Sequence, residues 1–230
     1  MPEILQTVLV QLIEDDPTIV DWMLGLTGDR HARSRCDSAS LLRRSSESTD
    51  GLGLDAVVRL DFADGAARIV VCKVLAEWNP AVYHRLPVHV AGAFEYFRLP
   101  VSLLLLCRTD LLARRYRRGI ETGPESRFAA AAVGPSDMPE IITDASAPSA
   151  PAVLASVALR RGAREQPVEL FVATIDHWLA QLGPEQAAGY ASRLLRLLPE
   201  QSSTLLRAVM ESGGRHYHAK YRSRIGAARG

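Results

Sequence analysis

The order of apolar and polar residues predicts an α/β protein followed by helices. Apolar residues recur at helical spacing over residues 4–13 and predict an amphipathic first helix, and Asp16-Pro17 predicts the start of a second over Ile19–Leu26. Two apolar runs in residues 54–78, LDAVVRLDFADGAARIVVCKVLAEW, then flank Ala63-Asp64-Gly65. This spacing predicts a β-hairpin whose three-residue loop ends in a left-handed glycine.

Beyond the hairpin, helical and strand patterns alternate. Asn79-Pro80 predicts a helix that continues to about Phe97, and Pro87 should kink or split it. The unbroken apolar run Val101–Cys107 predicts a strand that is covered on both faces, with a basic helix over residues 111–118 after it. Shorter strands are predicted at residues 40–44, 128–133 and 140–143.

A stretch rich in proline, alanine and serine, residues 144–152, separates this α/β part from purely helical patterns. The helices are predicted at 153–161, 167–182, 184–198 and 200–211, and their short connections favour antiparallel packing. Gly213-Gly214 precedes a basic tail. The predicted organisation is therefore an α/β domain over 1–144, a helical region over 145–214, and a flexible basic tail over 215–230.

Composition favours a soluble, cytoplasmic protein. The 230 residues are 47% hydrophobic and 23% charged, with a formal net charge of +1, so no global field draws the chain to nucleic acid or membrane. The N-terminus has no signal-peptide pattern, and no apolar run is long enough to span a bilayer. Cys36, Cys72 and Cys107 have no paired spacing, which favours free thiols, buried at Cys72 and Cys107.

Two charged residues interrupt the apolar runs of the hairpin. If Phe62 pairs with Ala66 across the loop, Asp55 lies directly opposite Lys73. Side chains alternate along a strand, so Leu75 and Glu77 should share the face of this pair. Because an unpaired buried charge is costly, Asp55 and Lys73 are expected to contact each other.

This hairpin resembles the metal site of the PD-(D/E)XK nuclease superfamily, in which an aspartate on one strand faces Glu-x-Lys or Glu-x-Gln on the next. The segments LDAVVRL, VVCKVLAEWNP, LPVHVAGAF, VSLLLLC and VGPSDMPEIITD resemble, in order, those of actinobacterial proteins of the recombination-promoting nuclease (Rpn) and transposase-like group. The resemblance runs from the first helix to the tail. It implies a restriction-endonuclease-like mixed sheet flanked by helices and followed by a C-terminal helical bundle.

The site departs from the pattern that the resemblance implies. Asp55 matches the strand aspartate, but Lys73-Val74-Leu75 stands where the family has Glu-Val-Gln, and Gln11 stands near the family's helix carboxylate, with Glu14 one turn later. Mg²⁺ requires hard oxygen ligands, and the lysine replaces one of them with a positive charge. We therefore expect the Lys73 ammonium to occupy the metal position, with no bound metal or other cofactor.

The candidate catalytic residues are Asp55, Lys73 and Glu77. The favoured prediction is a degenerate nuclease-fold protein that binds nucleic acid or a protein partner without catalysis. One alternative is an active endonuclease that uses Asp55 with Mg²⁺ and a relocated carboxylate, Glu77 or Glu14. Another is unrelated chemistry by a buried Asp55–Lys73 acid–base pair. His84 and His89 are five residues apart across a proline, which favours packing over metal binding.

Two basic clusters are candidate nucleic-acid contacts because arginines interleaved with aromatic residues can follow a phosphate backbone and stack bases. The first, on the predicted basic helix, comprises Arg114, Arg115, Arg117 and Arg118 around Tyr116. The second, in the tail, includes Arg215, Lys220, Arg222 and Arg224. A solvated helix face and a disordered tail have the same composition. Oligomeric state is left open, and no membrane partner is expected.

Overall fold

A computed structural model of the chain describes residues 2–28, 36–44, 53–139, 149–160 and 168–211. The helices are α1 Pro2–Asp15, α2 Ile19–Leu26, α3 Pro80–Phe97, α4 Asp110–Arg117, α5 Ala150–Arg160, α6 Val168–Leu179, α7 Pro184–Leu197 and α8 Glu200–Glu211. The strands are β1 Cys36–Arg44, β2 Ala56–Phe62, β3 Ala67–Leu75, β4 Val101–Cys107, β5 Ile120–Gly123, β6 Ser126–Phe128 and β7 Ala131–Val133. The chain divides into two compact units. The first is Leu9–Asp137, and the second combines Met1–Val8 with Met138–Gly230.

The first unit contains a five-stranded sheet in the order β1-β2-β3-β4-β7. β1, β2 and β3 pair antiparallel, whereas β3, β4 and β7 pair parallel, so the sheet is mixed. A separate two-stranded ribbon joins β5 and β6. The predicted class, an α/β fold with a mixed sheet flanked by helices and followed by C-terminal helices, is confirmed.

The β2–β3 hairpin has the predicted loop and register. The Phe62 N–H donates to the Ala66 carbonyl at 2.9 Å, and the Gly65 N–H returns to the Phe62 carbonyl at 2.9 Å. Gly65 has a φ of 79°, a left-handed conformation that other residues adopt only with strain. The Asp64 carboxylate accepts the Ala66 N–H at 3.0 Å and fixes the turn.

Helices α3 and α4 cover one face of the sheet. Alternate residues of β3 and β4 point to this face and form a continuous core with the buried positions of the two helices. These residues include Ile69, Val71, Leu75, Leu103, Leu105, Cys107, Leu86, Ala93, Leu112, Ala113 and Tyr116. Residues of opposite parity, such as Val70 and Cys72, are buried on the other face. Cys72 and Cys107 are buried free thiols, as expected.

Several predicted elements differ from the structure. α3 runs unbroken through Pro87, because Leu86, His89 and Ala93 bury one stripe that extends past the proline, and the Asn79 side chain caps the first turn. The predicted short strand at 40–44 is the nine-residue β1. The strand predicted over 128–133 divides between β6 and β7, which belong to different sheets, and β5 was missed. The strand predicted at 140–143 lies outside the described residues.

The described part of the second unit is helical. Ala150–Leu159 of α5 is buried at every position, so this helix forms the centre against which α6 and α7 pack. α8 packs against α6 and α7. α5 begins at Ala150, inside the stretch predicted as a linker, because proline is well accommodated in the first turn of a helix. The predicted tail over 215–230 lies outside the described residues, and the predicted domain division stays a prediction.

Candidate functional site

The hairpin brings the Asp55 carboxylate to 3.9 Å from the Lys73 ammonium, so the two predicted residues lie together. β2 and β3 pair in the predicted register from Asp61 opposite Ala67 to Ala56 opposite Cys72, one position short of Asp55 and Lys73. Asp55 is not inside the strand, however. It lies in the bend directly before β2, and its N–H donates to the Cys72 carbonyl at 3.1 Å.

The Asp55 carboxylate is almost completely buried, with 2% of the residue exposed. One oxygen, Oδ2, accepts the Val74 N–H at 2.6 Å. The other, Oδ1, lies 3.9 Å from the Lys73 ammonium. A buried carboxylate needs such donors because it has lost its water. Burial and, to a smaller extent, the negative charge of Asp55 raise the pKa of the Cys72 thiol.

The Lys73 ammonium has a closer partner than the carboxylate. It donates to the carbonyl of Gly53, in the turn that leads into β2. Only 14% of the Lys73 side chain is exposed. The ammonium is thus held between a backbone carbonyl and a carboxylate, and both of its partners precede β2. This arrangement fastens the start of β2 to β3.

The candidate carboxylate Glu77 does not lie on the buried face of this pair. β3 ends at Leu75, so the alternation that placed Glu77 on the same face stops before it, and Glu77 is exposed in the following bend. This corrects the predicted position of Glu77. Glu14 lies half-buried on α1. Within the described ranges, no group of three or more histidine, cysteine or acidic side chains is arranged to hold a metal ion.

His89 is a buried polar residue near this site, and its burial agrees with the packing role predicted for it. It lies on the buried stripe of α3 between Leu86 and Ala93, and 6% of it is exposed. Its Nδ1 has no hydrogen-bond partner among the described residues. Burial, the Lys73 charge and the Arg85 charge lower the pKa of His89. The sequence signal for this burial is the helical spacing of His89 from Leu86 and Ala93. His84 is exposed, so the two histidines lie on different faces.

The four arginines around α4 divide into separate roles. Arg117 points back to the fold: its Nε donates to the Ala132 carbonyl at 2.8 Å, and its guanidinium forms an ion pair with Asp137. These contacts connect α4 to β7 and to the 3₁₀ turn Pro135–Asp137. Arg117 was predicted to contact nucleic acid, but the structure engages it within the protein, because residue 117 lies on the side of α4 that faces β7.

Arg115 stacks on an aromatic residue. Its guanidinium carbon lies 3.3 Å from the centroid of the Trp78 ring, a cation–π contact. The Trp78 ring packs against Tyr83 and Tyr116, with centroids 4.9 and 5.4 Å away. The Tyr83 hydroxyl donates to the Gly119 carbonyl at 2.9 Å, and burial raises the pKa of Tyr116 to about 12. Sequence reasoning missed Trp78 because it is 37 positions from Arg115.

Arg114 and Arg118 are exposed, and no ion pair or hydrogen bond engages their side chains among the described residues. They are one helical turn apart, so they share a side of α4 with Leu111, which is 72% exposed, and Arg115. We call these four residues, Leu111, Arg114, Arg115 and Arg118, the α4 surface. The tail cations Arg215, Lys220, Arg222 and Arg224 lie outside the described residues.

Comparison of the chain with protein-family models, with curated proteins and with solved structures gives no match. None of the helices within the described residues combines the length and apolarity that a membrane crossing requires.

Proposed function

We propose that this chain is a degenerate nuclease-fold protein of the PD-(D/E)XK type that binds nucleic acid without cleaving it. The observation that carries the proposal is the Lys73 ammonium, held beside Asp55 and bonded to the Gly53 carbonyl. A divalent cation at Asp55 would have to sit next to this positive charge. Lys73 also supplies no oxygen ligand, which Mg²⁺ requires. In this proposal the Lys73 ammonium occupies the position of a nuclease's metal ion and connects the start of β2 to β3.

Binding would use the α4 surface. Three exposed arginines on one side of a helix form a local positive patch on a chain whose net charge is only +1. Such a patch contacts phosphates rather than base edges, so we expect sequence-independent binding that weakens with salt. Three neutralised phosphates give a log–log salt slope of about −2.7 on duplex DNA. The tail residues Arg215, Lys220, Arg222 and Arg224 would steepen it.

The competing function is an active, Mg²⁺-dependent endonuclease that uses Asp55 with Glu77 or Glu14. Glu77 is exposed and lies in the bend after the end of β3, so the strand does not hold its carboxylate towards Asp55. We therefore favour the non-catalytic protein. The proposal includes a cytoplasmic location and no cofactor, and the alternative partner of the same surface is a protein or a second copy of the chain.

The test combines binding and cleavage on one protein preparation. We expect the unmodified chain to bind a labelled DNA fragment at low salt and to leave a supercoiled plasmid intact with Mg²⁺ or Mn²⁺. Arg114→Ala with Arg118→Ala should weaken binding, whereas Arg59→Ala with Arg68→Ala, which removes the same charge from the hairpin, should not. Metal-dependent nicking that Asp55→Ala abolishes would establish the active alternative. Undiminished binding by the Arg114/Arg118 variant would move the interface to the tail.

A further inference from the structure

Trp78 occupies a fixed position beside the α4 surface. It directly precedes Asn79, whose side chain accepts the Ala81 N–H at 2.9 Å to cap α3, and Pro80 follows in the first turn. One side of its surroundings is formed by the rings of Tyr83 and Tyr116, which meet it at interplanar angles of 51° and 47°. The indole is only half-buried. Its orientation is therefore set by packing, while part of its surface lies at the solvent boundary.

Arg115 covers the remaining part of this ring. Its guanidinium stacks at 3.3 Å from the ring centroid, and no hydrogen bond or ion pair holds it among the described residues. Arg115 itself is exposed. Unlike Arg117, which two partners fasten to β7 and the following turn, Arg115 is held by the ring alone. It can therefore leave the indole for a phosphate without breaking a bond to the fold.

Resting on the proposed function, we propose that Trp78 stacks an unpaired nucleobase and that the ligand of the α4 surface is single-stranded nucleic acid. A base is a planar π-system of the same kind as the guanidinium that now covers the ring, and base stacking on aromatic side chains does not depend on sequence. Arg115 moves to the adjacent phosphate when the base arrives. Arg114 and Arg118 contact the neighbouring phosphates, and Leu111 offers an apolar contact beside them.

The positive charge of the α4 surface favours an anionic ligand over a cationic one. The aromatic cluster of Trp78, Tyr83 and Tyr116 could also receive the cation of a partner protein. Arg115 lies over the ring, however, and Arg114 and Arg118 lie on the same side of α4, so a cationic side chain would be repelled, whereas a polyanion would be attracted. A duplex keeps its bases stacked inside, where Trp78 cannot reach them. The geometry thus favours a single strand over a duplex of the same sequence.

The experiment uses tryptophan fluorescence and affinity together. In a Trp22→Phe/Trp178→Phe background only Trp78 reports, and we expect an oligodeoxythymidine of about 15 nucleotides to quench its emission at low salt. The single strand should bind about tenfold more tightly than a duplex of equal length, and Trp78→Leu should reduce this preference to about twofold. Trp78→Phe retains a ring and should keep an intermediate preference. Thermal melts establish that each variant is folded.

Arg115→Ala separates the ring from the charge. It removes one phosphate contact, so the log–log salt slope for the single strand should become shallower by about 0.7, while Trp78 is still quenched. Equal affinity for the single strand and the duplex, unchanged by Trp78→Leu, would overturn the stacking inference and leave the proposed function in place. Failure to bind either ligand would overturn both, and would favour a protein partner for this surface.

Discussion

The Asp55–Lys73 pair and the α4 surface are both groups of charges, but they differ in what surrounds those charges. Asp55 is buried and Lys73 is largely shielded from solvent, and each has a backbone partner: Val74 N–H for the carboxylate, the Gly53 carbonyl for the ammonium. Arg114 and Arg118 are exposed and have no such partner among the described residues. Charges whose partners lie within the fold stabilise it, whereas charges left to solvent are available to a ligand. Substitutions should therefore affect stability in the first region and binding in the second.

The largest expected effect comes from Asp55→Ala. This change leaves the partly exposed Lys73 ammonium without its carboxylate and the Val74 N–H without its acceptor. Removing one partner of a fully buried ion pair costs about 3–5 kcal/mol, and Lys73 is partly exposed, so we expect the free energy of unfolding to fall by about 3 kcal/mol in urea titrations.

Asp61→Ala is the matched control for Asp55→Ala. Asp61 lies on β2 and pairs with Arg59 at 2.8 Å, but both side chains are well exposed, at 37% and 45%. An exposed pair contributes about 0–1 kcal/mol. Equal losses for Asp55→Ala and Asp61→Ala would mean that burial does not distinguish the two carboxylates.

A smaller effect should separate two arginines of the same helix. Arg117→Ala removes the bond to the Ala132 carbonyl and the ion pair with Asp137, and we expect a loss of about 1–2 kcal/mol in unfolding free energy. Arg114→Ala should change stability by less than about 0.5 kcal/mol, the usual range for a surface site, and weaken nucleic-acid binding instead. The opposite pattern, with Arg114 stabilising and Arg117 binding, would contradict the division of α4 into two sides.

The predictions from the sequence agree best with the structure where local rules decide the conformation. Gly65 in the loop and the alternation of β2 and β3 fix the hairpin register, so the proximity of Asp55 and Lys73 was predictable from residues 54–78. Glu77 was placed wrongly because the end of β3 depends on where its parallel neighbour β4 ends, at Cys107, which pairs with Leu75. A strand boundary set by another strand is not encoded in the local pattern.

Long-range placement explains the other errors. Periodicity within α4 gives the angular position of Arg117, but not that Asp137 and Ala132 lie on that side. The Arg115–Trp78 stack likewise depends on β3 and β4 being adjacent and parallel. The unbroken course of α3 through Pro87 follows from tertiary packing of Leu86 and Ala93, which overrides the local preference for a break.

The smallest expected effect is a pH dependence from His89. Burial, Lys73 and Arg85 lower its pKa, so in the folded state the imidazole stays neutral below its ordinary pKa of about 6.5. As pH falls from about 6.5 towards the lower folded pKa, the unfolded chain gains a proton that the folded chain lacks, and stability decreases by at most about 1.4 kcal/mol per pH unit. Above about pH 6.5 the group contributes no slope.

His89→Gln should remove this part of the dependence. The slope of unfolding free energy between about pH 6.5 and 5.5 should be shallower in the variant than in the unmodified protein. His84→Gln, which replaces an exposed histidine of the same helix, is the matched control substitution. An unaltered slope in His89→Gln would show that the imidazole is not held neutral beside Lys73.

The central claim is that the Lys73 ammonium stands where a nuclease would hold its metal ion, and Lys73→Glu tests it most directly. This variant places two carboxylates together, which should repel each other in chelator and be stabilised by Mn²⁺; at a concentration 100 times the dissociation constant the gain is about 2.7 kcal/mol. Lys73→Met removes the charge without adding a ligand. Thermal melts of the three proteins, with chelator and with Mn²⁺, should show a metal-dependent rise in Tm for Lys73→Glu alone. An equal rise in the unmodified protein would contradict the claim, because the site would then bind metal with Lys73 in place.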